Sequence, residues 1–204
     1  MRPFALLLVG LAAVCPTLAR ADRLINTPVA TKLLEGTFRY EGAFGISDRS
    51  VQRESLLWAV DKTFEIEGRR FRSAGRDDTT FDVYATLLSP FKGYAPGIAV
   101  GVRDVLGDTN DGRRGWVAVT FREAFQVGEF ERGFDFTIGG FVGARGSALF
   151  ALSIPLGPDL RLMAENDGIR LSAGFQYSPI RNLELRLFTE DRTALGSFRY
   201  SLRF

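Results

Sequence analysis

No histidine occurs anywhere in this 204-residue chain, and cysteine occurs once, as Cys15. The first absence removes the Ser-His-Asp hydrolase, the zinc-histidine site and the usual general base at neutral pH. The second leaves no disulfide framework and no cysteine metal cluster. Beyond residue 21 no segment reads as a helix. No tight group of carboxylates stands in for the missing histidine. The sequence therefore names no catalytic residue, no metal ligand and no cofactor.

The first residues explain where the lone cysteine belongs. Met1-Arg2-Pro3 is a short positive start, and residues 4–14 are apolar apart from Gly10. Ala19-Arg20-Ala21 offers a small-x-small cleavage site before Asp22. This is the pattern of a secretory signal peptide over 1–21, since a membrane-spanning helix needs about 20 apolar residues. Cys15 raises a lipoprotein alternative, against which Val14 argues, because the lipoprotein peptidase favours a small residue there. Cleavage after Ala21 takes Cys15 away. It also takes Arg2 and Arg20 from the 26 basic residues and nothing from the 24 acidic ones, leaving a formal net charge of zero. No global field then draws the chain toward nucleic acid or an anionic membrane. About 180 residues remain, enough for one domain.

What is present is alternation. In the last seven residues Phe198, Tyr200, Leu202 and Phe204 occupy every second position, with Arg199, Ser201 and Arg203 between them. Period two places the apolar set on one face of a strand and the polar set on the other. The ending resembles the C-terminal strand by which bacterial outer-membrane barrels are recognised by the barrel-assembly machinery. The same period recurs at 37–44, 54–60, 63–71, 80–88, 97–105, 116–123, 134–142, 147–154, 160–164, 169–177 and 183–187. Polar, glycine or proline breaks separate these runs, at 73–78, 89–96, 107–115, 155–158, 165–168 and 178–182 among others.

Together they predict an all-β fold: a closed, antiparallel, up-and-down transmembrane β-barrel of about twelve strands. It would occupy 37–204, after a periplasmic N-terminal segment at 22–36. A sheet exposed to lipid must pair its backbone groups by closure. An even strand count leaves both termini in the periplasm, with the breaks at 73–78, 107–115 and 165–168 outside. Phe, Val, Ile, Leu, Tyr and Trp would face lipid. Arg39, Glu41, Arg103, Arg122, Arg161, Arg170, Glu184, Arg186, Arg199 and Arg203 would face the lumen, where opposite charges can pair and fill a narrow barrel. The competing fold is a soluble sandwich or lipocalin-like barrel, which needs the same alternation with its apolar face inward.

Three stretches carry a resemblance. Leu24-Ile25-Asn26-Thr27-Pro28-Val29-Ala30, followed by Glu35-Gly36-Thr37, resembles the opening of the YjbH-type outer-membrane proteins linked to exopolysaccharide. Pro96-Gly97-Ile98-Ala99-Val100-Gly101-Val102-Arg103-Asp104 is similar to a strand of that family. Ala164-Glu165-Asn166-Asp167-Gly168, followed by 173–179, is similar to one of its hairpins. Arg23 and Val29 depart from the family pattern, and its usual members are much longer. The resemblance implies an outer-membrane barrel, here a short single-barrel version, assisting polysaccharide export or envelope assembly. Its implied partners are outer-membrane lipid, lipopolysaccharide, the assembly machinery and polysaccharide-export proteins.

Other motifs are weaker. The oxygen donors of 108–112 lack the glycine spacing and distal glutamate of a calcium loop. Arg113-Arg114, and Arg69-Arg70 with Arg72, suit either a solvated rim or phosphate and acidic glycan contacts. Besides the envelope-assembly role, two functions stay open: a small channel for polar solutes filtered by paired lumen charges, and an enzyme built on carboxylates such as Glu41 or Glu184.

Overall fold

A computed structural model describes residues 24–204 apart from 92, 110–111, 128–129 and 144–145, and along 124–132 the backbone alone. The expected signal peptide, its cleavage site, Cys15, Asn110 and Asp111 lie outside the described residues. The alternating runs become twelve strands: β1 (Thr37–Gly45), β2 (Gln52–Ala59), β3 (Phe64–Ser73), β4 (Arg76–Leu88), β5 (Gly97–Arg103), β6 (Arg114–Val127), β7 (Phe130–Gly143), β8 (Ser147–Pro155), β9 (Leu160–Asn166), β10 (Leu171–Ile180), β11 (Leu183–Glu190) and β12 (Thr193–Arg203). Each pairs antiparallel with the next, and β1 pairs with β12, so the sheet closes into a barrel. Thr37 lies opposite Arg203, which brings both termini of the wall to one end.

The strands are longer than the apolar runs predict. Residues 73–78 are expected as a loop, yet the β3–β4 ladder continues to Ser73 opposite Arg76, leaving a two-residue turn at Ala74 and Gly75. Gly75 has φ +78°, a conformation that glycine adopts without strain. Arg70 and Arg72 reach Asp77 across this ladder. Polar side chains extend a strand as well as apolar ones do, because the ladder is made of backbone. For the same reason β6 and β7 pair out to Val127 and Phe130, beyond the expected 116–123 and 134–142. β9 likewise runs through Glu165 to Asn166, and β10 continues past an irregularity between Tyr177 and Ile180, where Pro179 cannot donate.

The faces are those of a barrel standing in lipid. Leu56 is 54% exposed and its neighbour Leu57 is fully buried. Thirty large apolar residues lie exposed among the described ones. At about 1.5–3 kcal/mol for burying each, water would be a poor solvent for this surface. Inside are arginines, carboxylates and hydroxyls, so the soluble alternative, which needs the apolar face inward, does not describe this molecule. Trp58, Tyr177, Tyr200 and Phe204 mark the end where the termini meet, at the depth where amphipathic rings suit a lipid headgroup boundary. There Phe38 stacks on Trp58 at 5.5 Å and meets Phe204 edge-on at 6.0 Å.

Residues 24–36 occupy a place that the alternation does not foretell. The sequence reading sets 22–36 apart as a periplasmic segment, but 24–33 lie inside the barrel. Thr27 and Ala30 are fully buried, and Ile25 and Leu33 nearly so. Leu33, next to the wall's own termini, donates its N–H to Glu65 at the start of β3. Ala30 donates to Thr120. Asn26 reaches Glu190 at the far end of β11. The segment thus climbs the lumen from the termini end and turns at 24–27, where Leu24 N–H bonds Thr27 C=O at 3.1 Å. Gly36, at φ +75°, makes the reversal from lumen to wall.

The wall leaves room for it. Ala59, Ala99 and Ala118 face inward beside Ala30 and Leu33. A Cβ on Gly97 would stand 2.8 Å from the Ala30 Cβ. Higher up, Leu24 and Ile25 join Ala151, Met163, Phe188 and Leu195 in a second apolar cluster.

Candidate functional site

The lumen is a set of ion clusters tied together by the plug. On β1, β11 and β12 the register brings Glu41 and Glu184 opposite Arg199. Arg199 Nε donates to Glu41 at 2.7 Å, and its Nη1 stands 3.6 Å from Glu184. Arg186 lies 3.7 Å from Glu41 and 3.5 Å from Glu184, and also donates to Gln176. Both arginines donate to the carbonyl of Leu24, at 2.6 and 2.9 Å. Arg39 is buried on the same face of β1. Buried charges persist only when paired and hydrogen-bonded, and the plug supplies one of the acceptors.

The other expected lumen residues fall in separate clusters. Arg122 grips Asp135 with two bonds of 2.6 and 3.1 Å, and Arg161 stands 3.6 Å from the same carboxylate. Arg170 stands 3.2 Å from Glu190, and Arg53 pairs with the same carboxylate. Arg103 lies 3.8 Å from Asp82, which Arg69 also contacts. Tyr84 donates to Glu67 and, at 3.2 Å, to Asp82. Arg203 lies at the termini end, half-buried, in phase with Arg199. Of the terminal aromatic set, Phe198 packs against Tyr40 at 5.7 Å, Tyr200 and Leu202 are half-buried, and Phe204 is 87% exposed.

Arg103, Arg186 and Arg199 of the expected lumen set grip the plug, but Glu165, Glu190 and Arg53, which also hold it, are missing from that set. Glu165 accepts three consecutive backbone N–H groups, from Ile25 at 2.9 Å, Asn26 at 2.6 Å and Thr27 at 3.0 Å. The Asn26 side chain donates to Glu190 at 2.7 Å and accepts from Arg53 at 3.2 Å, while its carbonyl accepts from Arg103 at 2.8 Å. Period two from Arg161 and Met163 points to Glu165, and from Arg186 to Glu190. Reading 165–168 as a loop hid the first. Glu65, Glu67, Asp82 and Asp135 follow the same rule.

Above the plug tip the lumen opens. A cavity of about 140 Å³ lies at the end opposite the termini, with Ile25 and Asn26 as its floor. Beside Pro28 and Val29 the free space is about 10 Å³, roughly one water. Past the end of β5, Asp104 helps shape the rim. Burial pushes its carboxyl up, but bonds from Thr109, Asp108 and Gly107 outweigh this and hold it below the usual carboxylate range. At the opposite end Asp61 is held low by the N–H groups of Phe64 and Thr63.

Chemically, this arrangement can close a barrel and present charge at one mouth. Glu41 and Glu184 both face arginines, and neither forms an open carboxylate pair across a substrate-sized gap. The fold and lumen define a closed antiparallel barrel, apolar outside and charged inside, plugged by its own N-terminal segment. No family model and no curated protein matches the chain. Among solved structures it is similar to a NanC porin in a rhombohedral crystal form, at 9% identity and a TM-score of 0.44, over 82% of this chain and 98% of that one. At that distance the likeness carries no functional argument.

Proposed function

We propose that this protein is an outer-membrane β-barrel kept shut by its own N-terminal segment, and that it assists exopolysaccharide export or envelope assembly without conducting and without catalysis. The end carrying the termini faces the periplasm, and the 140 Å³ vestibule faces outward. The closed state rests on one observation: Glu165 holds the N–H groups of 25, 26 and 27 inside the barrel. The polysaccharide role is supported by the resemblance at 24–37, 96–104 and 164–179. Lipid and lipopolysaccharide are its surroundings, the barrel-assembly machinery its route, and polysaccharide-export proteins its working partners.

Planar-bilayer recording tests the closed state. Intact protein should be silent, and a barrel lacking 24–34 should pass steady current. Steady current from the intact protein would overturn the closed reading in favour of a polar-solute channel. Loss of the gene should lower secreted polysaccharide; an unchanged yield would remove that role and leave the plug standing.

A further inference from the structure

We propose that the outer vestibule binds a small soluble oxyanion of about one ring, a carboxylate- or phosphate-bearing sugar being the fitting class, and that this anion competes with the plug tip for Arg53 and Arg103. The inference rests on the reading of 24–33 as a plug. The vestibule volume of about 140 Å³ is close to that of an engineered cavity that takes one benzene. Its walls carry Arg53, Arg69, Arg76, Arg103, Arg114 and Arg170.

The five lining acids have partners of their own, Glu54 the hydroxyl of Tyr40. Glu41 is bound by Arg199 and Asp78 by Arg76. Asp104 takes its own loop, and Asp167 takes the N–H groups of Ile169 and Arg170. Two arginines keep a buried donor that makes no hydrogen bond: Nε of Arg53, and Nε of Arg103, which stands 3.8 Å from Asp82. Guanidinium forks match oxyanions in geometry as well as charge. An apolar face lies beside them. Phe71 sits under the guanidinium groups of Arg53 and Arg170, at 5.2 and 5.5 Å, and Ile169 and Phe188 continue the surface. A ring with an oxyanion can use both features at once.

The coupling follows from shared donors. Arg53 and Arg103 hold Asn26 by its side-chain oxygen and its carbonyl. An oxyanion accepts more strongly than a neutral amide oxygen. Drawing both forks upward would take two bonds from the plug tip and leave Glu165, Glu190, Arg186 and Arg199 to hold it.

The test uses the full chain assembled in detergent micelles, titrated calorimetrically with galacturonate, glucose 6-phosphate and glucose. At least one of the two acids should bind saturably and weaken at high salt, and glucose should not bind. Arg103→Gln should weaken binding about tenfold. Asn26→Ala, which leaves both arginines in place, should tighten it. Equal binding of glucose and the acids, or no binding by either acid, overturns the site.

For the coupling, Ala30→Cys in a Cys15→Ser background reports on the plug through its rate of maleimide labelling. Saturating anion should speed labelling severalfold. Slow labelling that a bound anion leaves unchanged overturns the competition alone. Rapid labelling without any anion overturns the plug itself.

Discussion

Backbone N–H groups of β1 meet carbonyls of β2 and β12, whereas those of residues 25, 26, 27, 30 and 33 meet side chains of Glu165, Thr120 and Glu65. Wall and plug thus solve one problem, the cost of an unpaired buried amide, by different means. The wall's solution is repeated along the strands and is indifferent to side-chain identity as long as the alternation holds. The plug's solution is made of single residues. Point substitutions should therefore release the plug and leave the barrel closed. On the proposed reading the plug is a gate and the wall its frame, and their stabilities should be separable.

The comparison is broken most severely from the wall's side. Deleting Phe204 should abolish assembly, seen as loss of heat-modifiable, protease-resistant protein in the membrane. Phe204 is 87% exposed and touches Phe38 edge-on, a contact worth about 0.5–1.5 kcal/mol. A loss of assembly larger than that packing explains would make Phe204 a recognition signal. A truncated barrel that still assembles would make it an ordinary rim aromatic.

From the plug's side, Glu165→Ala removes three charge-assisted bonds. Docking of the tip should weaken by about 2–5 kcal/mol, so hydrogen exchange at 25–27 should accelerate by orders of magnitude while the amides of β1 stay protected. Equal acceleration in both would show that wall and plug open together. Gly97→Ala sharpens the contrast further. Its Cβ would stand 2.8 Å from Ala30 and 2.6 Å from Pro90, one contact belonging to the plug and one to the β4–β5 connection of the wall. Overpacking should cost about 1–3 kcal/mol, and the part due to Ala30 should vanish when 24–34 is absent. A cost unchanged by that deletion would place all the strain in the wall.

The same division explains what could be read from the residues alone. Strand succession, closure and the two faces follow from period two, because a wall strand meets its sequence neighbours. Arg199 and Glu41 were legible because each lies in phase on its own strand. The plug was not: 24–33 has no sustained period, and Ile25 finds Glu165 140 residues away. Arg114 was legible as a rim arginine but not as the first residue of a strand, because it ends a glycine-rich polar break and the ladder beginning there needs no apolar residue to signal it. Glu165 was lost for a similar reason, at the polar tip of a hairpin.

The smallest effect concerns the rim, where wall becomes loop. Asp104 has φ +53° and its carboxylate accepts from the N–H groups of 107, 108 and 109 and from the Thr109 hydroxyl. Its folded-state pKa lies below the ordinary value, since these bonds outweigh the opposing effect of burial. The bonds therefore add stability above the ordinary carboxylate pKa, and that stability is lost as pH falls through the lowered one. Protease cleavage in 105–109 should stay slow at neutral pH and rise in acid below the ordinary carboxylate range. Asp104→Asn, which keeps one acceptor oxygen and loses the charge, should show part of that rise at neutral pH and little further change in acid. Exchange at residues 25–27 should be no faster in Asp104→Asn than in the wild type at neutral pH, because the Asp104 carboxylate bonds only its own loop. If Asp104→Asn sped exchange at residues 25–27 at neutral pH, the rim would belong to the gate rather than to the frame.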